Sequence, residues 1–216
     1  MTHFSLEQEK YLILPGAVGP LEVITVSPLQ PKPITAIICH PHPLFGGTMN
    51  NKVVHTVAKA LNIIGIKTIR FNYRGVGKSA GSYGTGLGEV EDVKALVAWL
   101  KAAYPRDALW LAGFSFGAFV AAKAATELSP ATLITIAPSV EHFDFTKLGK
   151  ITCPWLVIQG EADEVVPSEK VFAWLKTLAP APTLIRFPGV GHFFHGELTA
   201  LREAIVKHFS AKVNHG

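Results

Sequence analysis

The chain has 216 residues, of which 49% are hydrophobic and 17% are charged, and its mean hydropathy is +0.30. These values exclude a disordered chain and allow one well-buried core, so we expect a single domain over residues 1–216. The formal net charge is +4, but the basic residues are scattered singly and no aromatic residues are interleaved with them, so the sequence predicts no nucleic-acid partner.

Eight apolar runs have the length of β-strands, and from the third onward they are continuous, as in strands covered on both faces. These runs are residues 11–14, 21–26, 35–40, 66–72, 108–114, 132–137, 155–160 and 183–187. Between the later runs, apolar residues recur at helical spacing, near residues 53–61, 90–100, 118–125, 171–175 and 198–209. This alternation predicts an α/β fold with a doubly wound, mostly parallel sheet, whose first two strands form an antiparallel N-terminal edge.

The apolar runs are also informative about location and redox chemistry. None approaches the roughly 18 to 20 residues that a membrane span needs, so we expect no membrane partner. The first ten residues lack a signal-peptide pattern, which predicts a cytoplasmic protein.

Cys39 and Cys153 lie in apolar runs without metal-ligand spacing, and we predict buried free thiols. Cys39 also stands beside the motif "HPHP", where a thiol would be a redox-sensitive neighbour of a site.

The segment "GFSFG", residues 113–117, places Ser115 between the fifth apolar run and an alanine-rich helical run. The pattern G-x-S-x-G has meaning in this context, because a sharp strand-to-helix turn leaves the serine hydroxyl outward, near free N–H groups. Gly113 and Gly117 would remove Cβ atoms that collide across such a turn. A serine N-cap would explain Ser115 but not both glycines, so we predict a nucleophile.

A serine nucleophile needs a base, and the base needs an orienting acid, in the chain order Ser…Asp/Glu…His. The loop "EADEVVP" follows the seventh run, and within it Asp163 is the first choice for the acid, with Glu161 and Glu164 as alternatives. The loop "PGVGH" follows the eighth run and makes His192 the first choice for the base. His195 competes with it, but falls where the last helix should begin.

An oxyanion hole needs two N–H groups aimed at the developing negative charge. One should be the amide of Phe116, the residue after the nucleophile. The other should come from the loop "HPHPLFGGT" after the third run, where the two prolines have no N–H and Leu44 is the first amide beyond them. We therefore predict Leu44 as the second donor. His40 and His42 could point the same way, but no third ligand is evident, and we predict no metal site.

The segment "RGVGKSA", residues 74–80, matches two nucleotide-binding patterns only in part. The pattern G-x-x-x-x-G-K-S requires glycine at the position of Asn72. The pattern G-x-G-x-x-A requires a helix to open there, whereas the glycine-rich "GSYGTGLG" follows. We therefore predict a glycine-rich loop close to the serine, and no cofactor.

Taken together, these motifs resemble the α/β-hydrolase superfamily. The segment "HPHPLFGGTMNNKVV" followed by "FNYRGVGKSAGS" is similar to a small bacterial branch of predicted hydrolases, close in size to dienelactone hydrolases, and the resemblance spans nearly the whole chain. It implies the Ser115–His192–Asp163 triad and the oxyanion hole of Phe116 and Leu44. Dienelactone hydrolases have a cysteine nucleophile where this chain has a serine, so lactone chemistry is not implied. Only residues 138–154 separate the sixth and seventh runs, too few for the lid domain that many relatives insert.

These features predict a serine hydrolase that cleaves small acyl esters or thioesters, like a carboxylesterase or thioesterase, through an acyl-enzyme. The partner is then a small-molecule acyl substrate at an open site, with Phe114, Phe193 and His42 as binding residues. The alternatives are a non-catalytic binding protein on a hydrolase fold, and an amidase or peptidase with the same triad. The sequence does not indicate the acyl chain length or the oligomeric state.

Overall fold

The computed structural model describes residues 8–213, and in this range eight strands form one sheet with helices on both faces. The strands are β1 (Gln8–Gly16), β2 (Gly19–Ser27), β3 (Ile34–Cys39), β4 (Lys67–Phe71), β5 (Ala108–Phe114), β6 (Thr132–Ile136), β7 (Trp155–Gly160) and β8 (Thr183–Phe187). The helices are α1 (Lys52–Ile63), α2 (Leu87–Ala103), α3 (Phe116–Leu128), α4 (Ser168–Leu175) and α5 (Leu198–Val213). Each predicted apolar run overlaps a strand, and only residues 40, 66, 72 and 137 of these runs lie just outside β3, β4 and β6.

The strands follow the order β1-β2-β4-β3-β5-β6-β7-β8. β1 pairs antiparallel with β2, and β2 with β4, whereas every pair from β4–β3 to β7–β8 is parallel. This confirms the predicted α/β sheet with an antiparallel N-terminal edge. Because the parallel strands all end at the same edge, the loops after β3, β5, β7 and β8 meet there.

Two apolar layers cover the sheet. The layer on one face contains side chains of α2, α3 and α4, such as Val93, Val120 and Val171. The layer on the other face contains side chains of α1 and α5, such as Val57 and Leu201. Burying each such side chain contributes about 1.5–3 kcal/mol to folding, so the two layers hold the strand ends rigidly in place.

The two cysteines differ in environment. Cys39, the last residue of β3, is fully buried, and burial raises the pKa of its thiol to about 12. It therefore stays protonated and is a poor redox group. Cys153 is a free thiol but only half-buried, because it lies in the loop before β7, so its prediction as a buried residue is wrong.

Within the described part of the chain, no helix combines the length and the apolar character needed to cross a membrane.

Candidate active site

Ser115 occupies the turn between β5 and α3 in a backbone conformation that residues other than glycine rarely adopt. Its φ is +56° and its ψ is −117°. Its N–H donates to the carbonyl oxygen of Ile136, and its own carbonyl oxygen accepts from the N–H of Ala118 and from the Ser139 hydroxyl. These bonds to β6, α3 and the loop after β6 hold the strained turn in place.

The two glycines of the turn are required by close backbone contacts. A Cβ on Gly113 would lie 2.0 Å from the carbonyl oxygen of Gly117. A Cβ on Gly117 would lie 2.2 Å from the carbonyl oxygen of Cys39 and 2.5 Å from that of His40. Gly113 therefore removes the collision across the turn that the sequence predicts. Gly117 instead makes room for the end of β3, so the loop after β3 begins directly against the serine turn.

A chain of two hydrogen bonds joins the serine to a histidine and an aspartate. His192 Nε2 lies 3.0 Å from Ser115 Oγ, and His192 Nδ1 lies 2.8 Å from Asp163 Oδ2. Asp163 follows β7 and His192 follows β8, and all three residues are at most 9% exposed. The structure thus brings together the three residues that the sequence selects as nucleophile, base and acid.

Every oxygen of the Asp163 carboxylate has hydrogen-bond donors. Oδ1 accepts from the N–H groups of Val165 and Val166, at 2.9 and 2.7 Å. Oδ2 accepts from Gln159 Nε2 at 2.9 Å as well as facing His192. Burial raises the pKa of Asp163, but the hydrogen bonds and the adjacent His192 outweigh it and hold the pKa below its ordinary value. The ionised carboxylate therefore accepts from His192 Nδ1–H, which leaves the Nε2 lone pair facing the serine.

Gln159 is a site residue that the sequence analysis missed. It is fully buried in β7 and contacts the acid directly. An amide in the otherwise apolar strand "WLVIQG" was the available signal, because a buried polar side chain requires a partner.

The three alternative residues lie outside this hydrogen-bonded chain. The carboxylate of Glu164 accepts from the backbone N–H of His192 at 3.1 Å rather than from its ring. Glu161 forms an ion pair with Arg186 at 2.6 Å. His195 is exposed in the loop before α5.

In the loop after β3, the N–H of Leu44, which the sequence predicts as an oxyanion donor, already has an acceptor. The N–H of Leu44 donates to His42 Nδ1 at 3.3 Å, because the His42 side chain caps a short 3₁₀ turn over Pro43–Phe45. The backbone N–H of His42, between the two prolines, donates to no acceptor among residues 8–213. The N–H of Phe116 is the first of α3 and so has no partner within the helix. Near the serine turn, the N–H groups of Phe116 and His42 therefore have no acceptor among the described residues, and the rings of these two residues lie 4.9 Å apart.

His40 has both ring nitrogens occupied. Nδ1 lies 2.7 Å from the Pro41 carbonyl oxygen, and Nε2 accepts from the N–H of Tyr73 at 3.2 Å. Burial lowers the pKa of His40 to about 3, so the ring is neutral and ties the end of β3 to the loop after β4. Within residues 8–213, no three His, Cys, Asp or Glu side chains are grouped so as to hold a metal ion.

The predicted binding residues differ in exposure. Phe114 is 1% exposed and lies under His192, with ring centroids 5.1 Å apart. The prediction of Phe114 as a binding residue is therefore corrected: it has no surface for substrate and supports the imidazole from below. Phe193 is 40% exposed and stands edge-on to His192 at 5.0 Å, and His42 is half-buried.

The fold and this geometry agree with what the chain is similar to. A family model described as serine aminopeptidase, S33, matches residues 36–148, slightly more than half of the chain. The chain belongs to this α/β-hydrolase family. An uncharacterized protein of Rickettsia prowazekii is 32% identical to this α/β hydrolase over 200 residues, which cover 88% of this chain and 84% of the relative.

Two solved structures are more similar still. One is a serine α/β hydrolase without a lid from Xanthomonas campestris, which is 47% identical, with a TM-score of 0.89 and 94% of each chain covered. The other is an α/β serine hydrolase homologue from Coxiella burnetii, which is 48% identical, with a TM-score of 0.89 and 96% of this chain and 99% of that chain covered. This chain thus belongs to a family of serine hydrolases, and only residues 137–154 connect its β6 and β7.

Proposed function

We propose that this serine hydrolase cleaves small acyl esters or thioesters through an acyl-enzyme on Ser115. The observation that carries the proposal is the buried chain of hydrogen bonds from Asp163 through His192 to Ser115, at 2.8 and 3.0 Å. Acyl transfer by a serine requires this combination of nucleophile, base and orienting acid.

In the first half of the reaction, Ser115 Oγ attacks the acyl carbonyl carbon and its proton passes to His192 Nε2. Asp163 stabilises the resulting imidazolium without taking the proton. The oxyanion receives hydrogen bonds from the N–H groups of Phe116 and, in our proposal, His42. The C–O or C–S bond then breaks, and Nε2–H donates its proton to the leaving alkoxide or thiolate.

In the second half, water attacks the acyl-enzyme and His192 removes its proton. The tetrahedral intermediate collapses, the acid leaves, and Ser115 regains its proton from Nε2–H. The exposed ring of Phe193, 5.0 Å from that of His192, offers an apolar contact for the acyl or leaving group. The short connection between β6 and β7 leaves the approach to the serine uncovered by a lid, which suits a small, freely diffusing substrate.

The second candidate is an aminopeptidase, which the description of the matching family favours. It would use the same triad on an amide bond, whose leaving amine needs the proton from His192. Only a comparison of substrates separates the two candidates.

The test measures kcat/KM for p-nitrophenyl esters and acyl thioesters from acetyl to octanoyl, and for aminoacyl p-nitroanilides. We expect turnover of short esters or thioesters, with a loss of at least about 10³-fold in kcat for Ser115→Ala. Faster turnover of the anilides would favour the aminopeptidase. No turnover of any ester or thioester by the wild type would contradict the proposal.

A further inference from the structure

The His42 imidazole joins three parts of the site. Its Nδ1 accepts the N–H of Leu44 at 3.3 Å, and its Nε2 lies 3.1 Å from the Tyr83 hydroxyl. Its ring packs on that of Phe116, 4.9 Å away, the residue after the nucleophile. Because Nδ1 accepts, it carries the lone pair, so the single proton of the neutral ring is on Nε2 and is donated to Tyr83.

The loop around His42 is closed by its own backbone. The His42 carbonyl oxygen accepts from the N–H groups of Phe45 and Gly47, at 3.1 and 3.0 Å. A Cβ on Gly47 would lie 2.1 Å from the Pro41 carbonyl oxygen, so the two ends of the loop touch. Among the amides of residues 41–47, the N–H of His42 is the one without an acceptor in the described chain. The shape of this loop therefore decides where that donor lies.

Tyr83 contacts the imidazole from the other side, and a buried carboxylate binds the loop that directly follows Tyr83. The N–H groups of Gly84 and Gly86 donate to the two oxygens of Glu89, at 2.8 and 2.7 Å. Glu89 is fully buried in the first turn of α2. The rings of Phe45, Tyr83, Phe116 and Phe143 also pack around His42, with centroids 4.9 to 6.1 Å away. These contacts fix the orientation of the imidazole.

We propose that His42 is a positioning residue, whose side chain holds the loop of residues 41–47 in the shape that leaves the backbone N–H of His42 free to bind the oxyanion. The side chain does so only as the neutral imidazole. The inference rests on the proposed acyl-transfer function. Protonation would add a hydrogen to Nδ1, which would then oppose the N–H of Leu44, and the cap of the 3₁₀ turn would be lost.

The surroundings of the ring keep it neutral near pH 7. Burial lowers the pKa of His42, and the nearby His142 acts in the same direction, whereas the charge of Glu89 opposes them. These two residues and Tyr83 are the titratable groups that face the ring. Acidification therefore charges His42 and releases the loop.

The test compares His42→Ala, His42→Asn and Tyr83→Phe in ester hydrolysis, with His55→Asn in α1 as the matched control. Asparagine can accept the N–H of Leu44 through its side-chain oxygen, as in an Asx turn, and cannot be protonated. We expect His42→Ala to lose about 10- to 100-fold in kcat with a small change in KM, as for a misplaced catalytic donor. We expect His42→Asn to recover most of this loss.

The pH profile separates positioning from a general structural role. The acid limb of kcat should be less steep in His42→Asn than in the wild type, because asparagine at position 42 removes the protonation that releases the loop. Tyr83→Phe should lose about 2- to 10-fold in kcat, since it removes one hydrogen bond to the imidazole. His55→Asn should keep the wild-type kcat and pH profile.

A wild-type kcat in His42→Ala, or an asparagine variant no better than the alanine variant, would overturn the proposal. If His42→Ala does not fold, the kcat and pH profile of Tyr83→Phe test the proposal instead. Wild-type values of both in Tyr83→Phe would reject the role of His42. Ser115→Ala in the same assay distinguishes the two proposals. Turnover by that variant would reject the acyl-enzyme, whereas a wild-type kcat in His42→Ala beside an inactive Ser115→Ala would reject only the positioning role.

Discussion

Gly117 in the first turn of α3 packs directly against the carbonyl oxygen of Cys39 at the end of β3. A Cβ at position 117 would lie 2.2 Å from that oxygen, a distance that real Cβ atoms do not tolerate. This contact joins the turn that carries Ser115 to the loop that carries the proposed oxyanion donor, the N–H of His42. The relative placement of the two is therefore set by backbone packing.

Gly117→Ala should consequently destabilise the protein by about 1–3 kcal/mol, since a methyl group must be inserted into a close-packed contact. Urea unfolding measures the change in free energy. The matched control is Gly149→Ala, in an exposed loop where the nearest atom, Thr126 Cβ, would lie at an ordinary 3.4 Å. Equal stability of the two variants would show that the contact at Gly117 is not close.

Asp163→Asn should lower kcat for ester hydrolysis by about 10³- to 10⁴-fold with little effect on folding. An amide would offer an N–H to His192 Nδ1, which favours the tautomer that carries its proton on Nε2 and cannot accept one from Ser115. Glu161→Gln is the control, because Glu161 pairs with Arg186 away from the imidazole, and it should keep the wild-type kcat. A loss of less than about 10-fold for Asp163→Asn, or an equal loss for Glu161→Gln, would assign the acid elsewhere.

The buried His40 should make stability depend on pH. Its pKa is about 3 in the folded protein against an ordinary 6.5, so between these values the unfolded chain binds a proton that the folded chain does not. The stabilising contribution of neutral His40 to the free energy of unfolding is complete above pH 6.5. It is lost on acidification, at a slope of up to about 1.4 kcal/mol per pH unit.

Urea unfolding at a series of pH values in this window measures that slope. His40→Gln should reduce the slope whatever its absolute stability, whereas the control His195→Gln, at an exposed position, should retain it. An unchanged slope in His40→Gln would mean that His40 is protonated in the folded state.

The fold and the hydrogen-bonded chain of the site could be predicted because their signals are local. Continuous apolar runs mark the parallel strands, and Ser115, Asp163 and His192 each lie in the turn or loop that follows such a run. The parallel sheet then brings the strand ends to one edge, as its geometry requires. Gly113 could be interpreted for the same reason, because its contact with Gly117 lies within a single sharp turn, whereas the contact of Gly117 with Cys39 joins distant segments.

The interpretations that changed depend on side-chain directions and on contacts between distant segments. The partner of the Leu44 N–H depends on the orientation of the His42 ring, and Tyr83, which contacts that ring, lies 41 positions further along the chain. The glycine-rich loop around Tyr83 has no periodic pattern from which its position could be predicted. The burial of Phe114 was accessible in principle, because alternation along β5 places it on the same face as Trp110 and Ala112.

The most direct test of the central claim is the intact mass of the protein after incubation with a fluorophosphonate, which reacts with activated serine nucleophiles. We expect a single adduct that peptide mapping assigns to Ser115, no adduct on Ser115→Ala, and much slower labelling of His192→Ala. An unmodified wild-type protein, or the same adduct on Ser115→Ala, would contradict the assignment of Ser115 as the nucleophile.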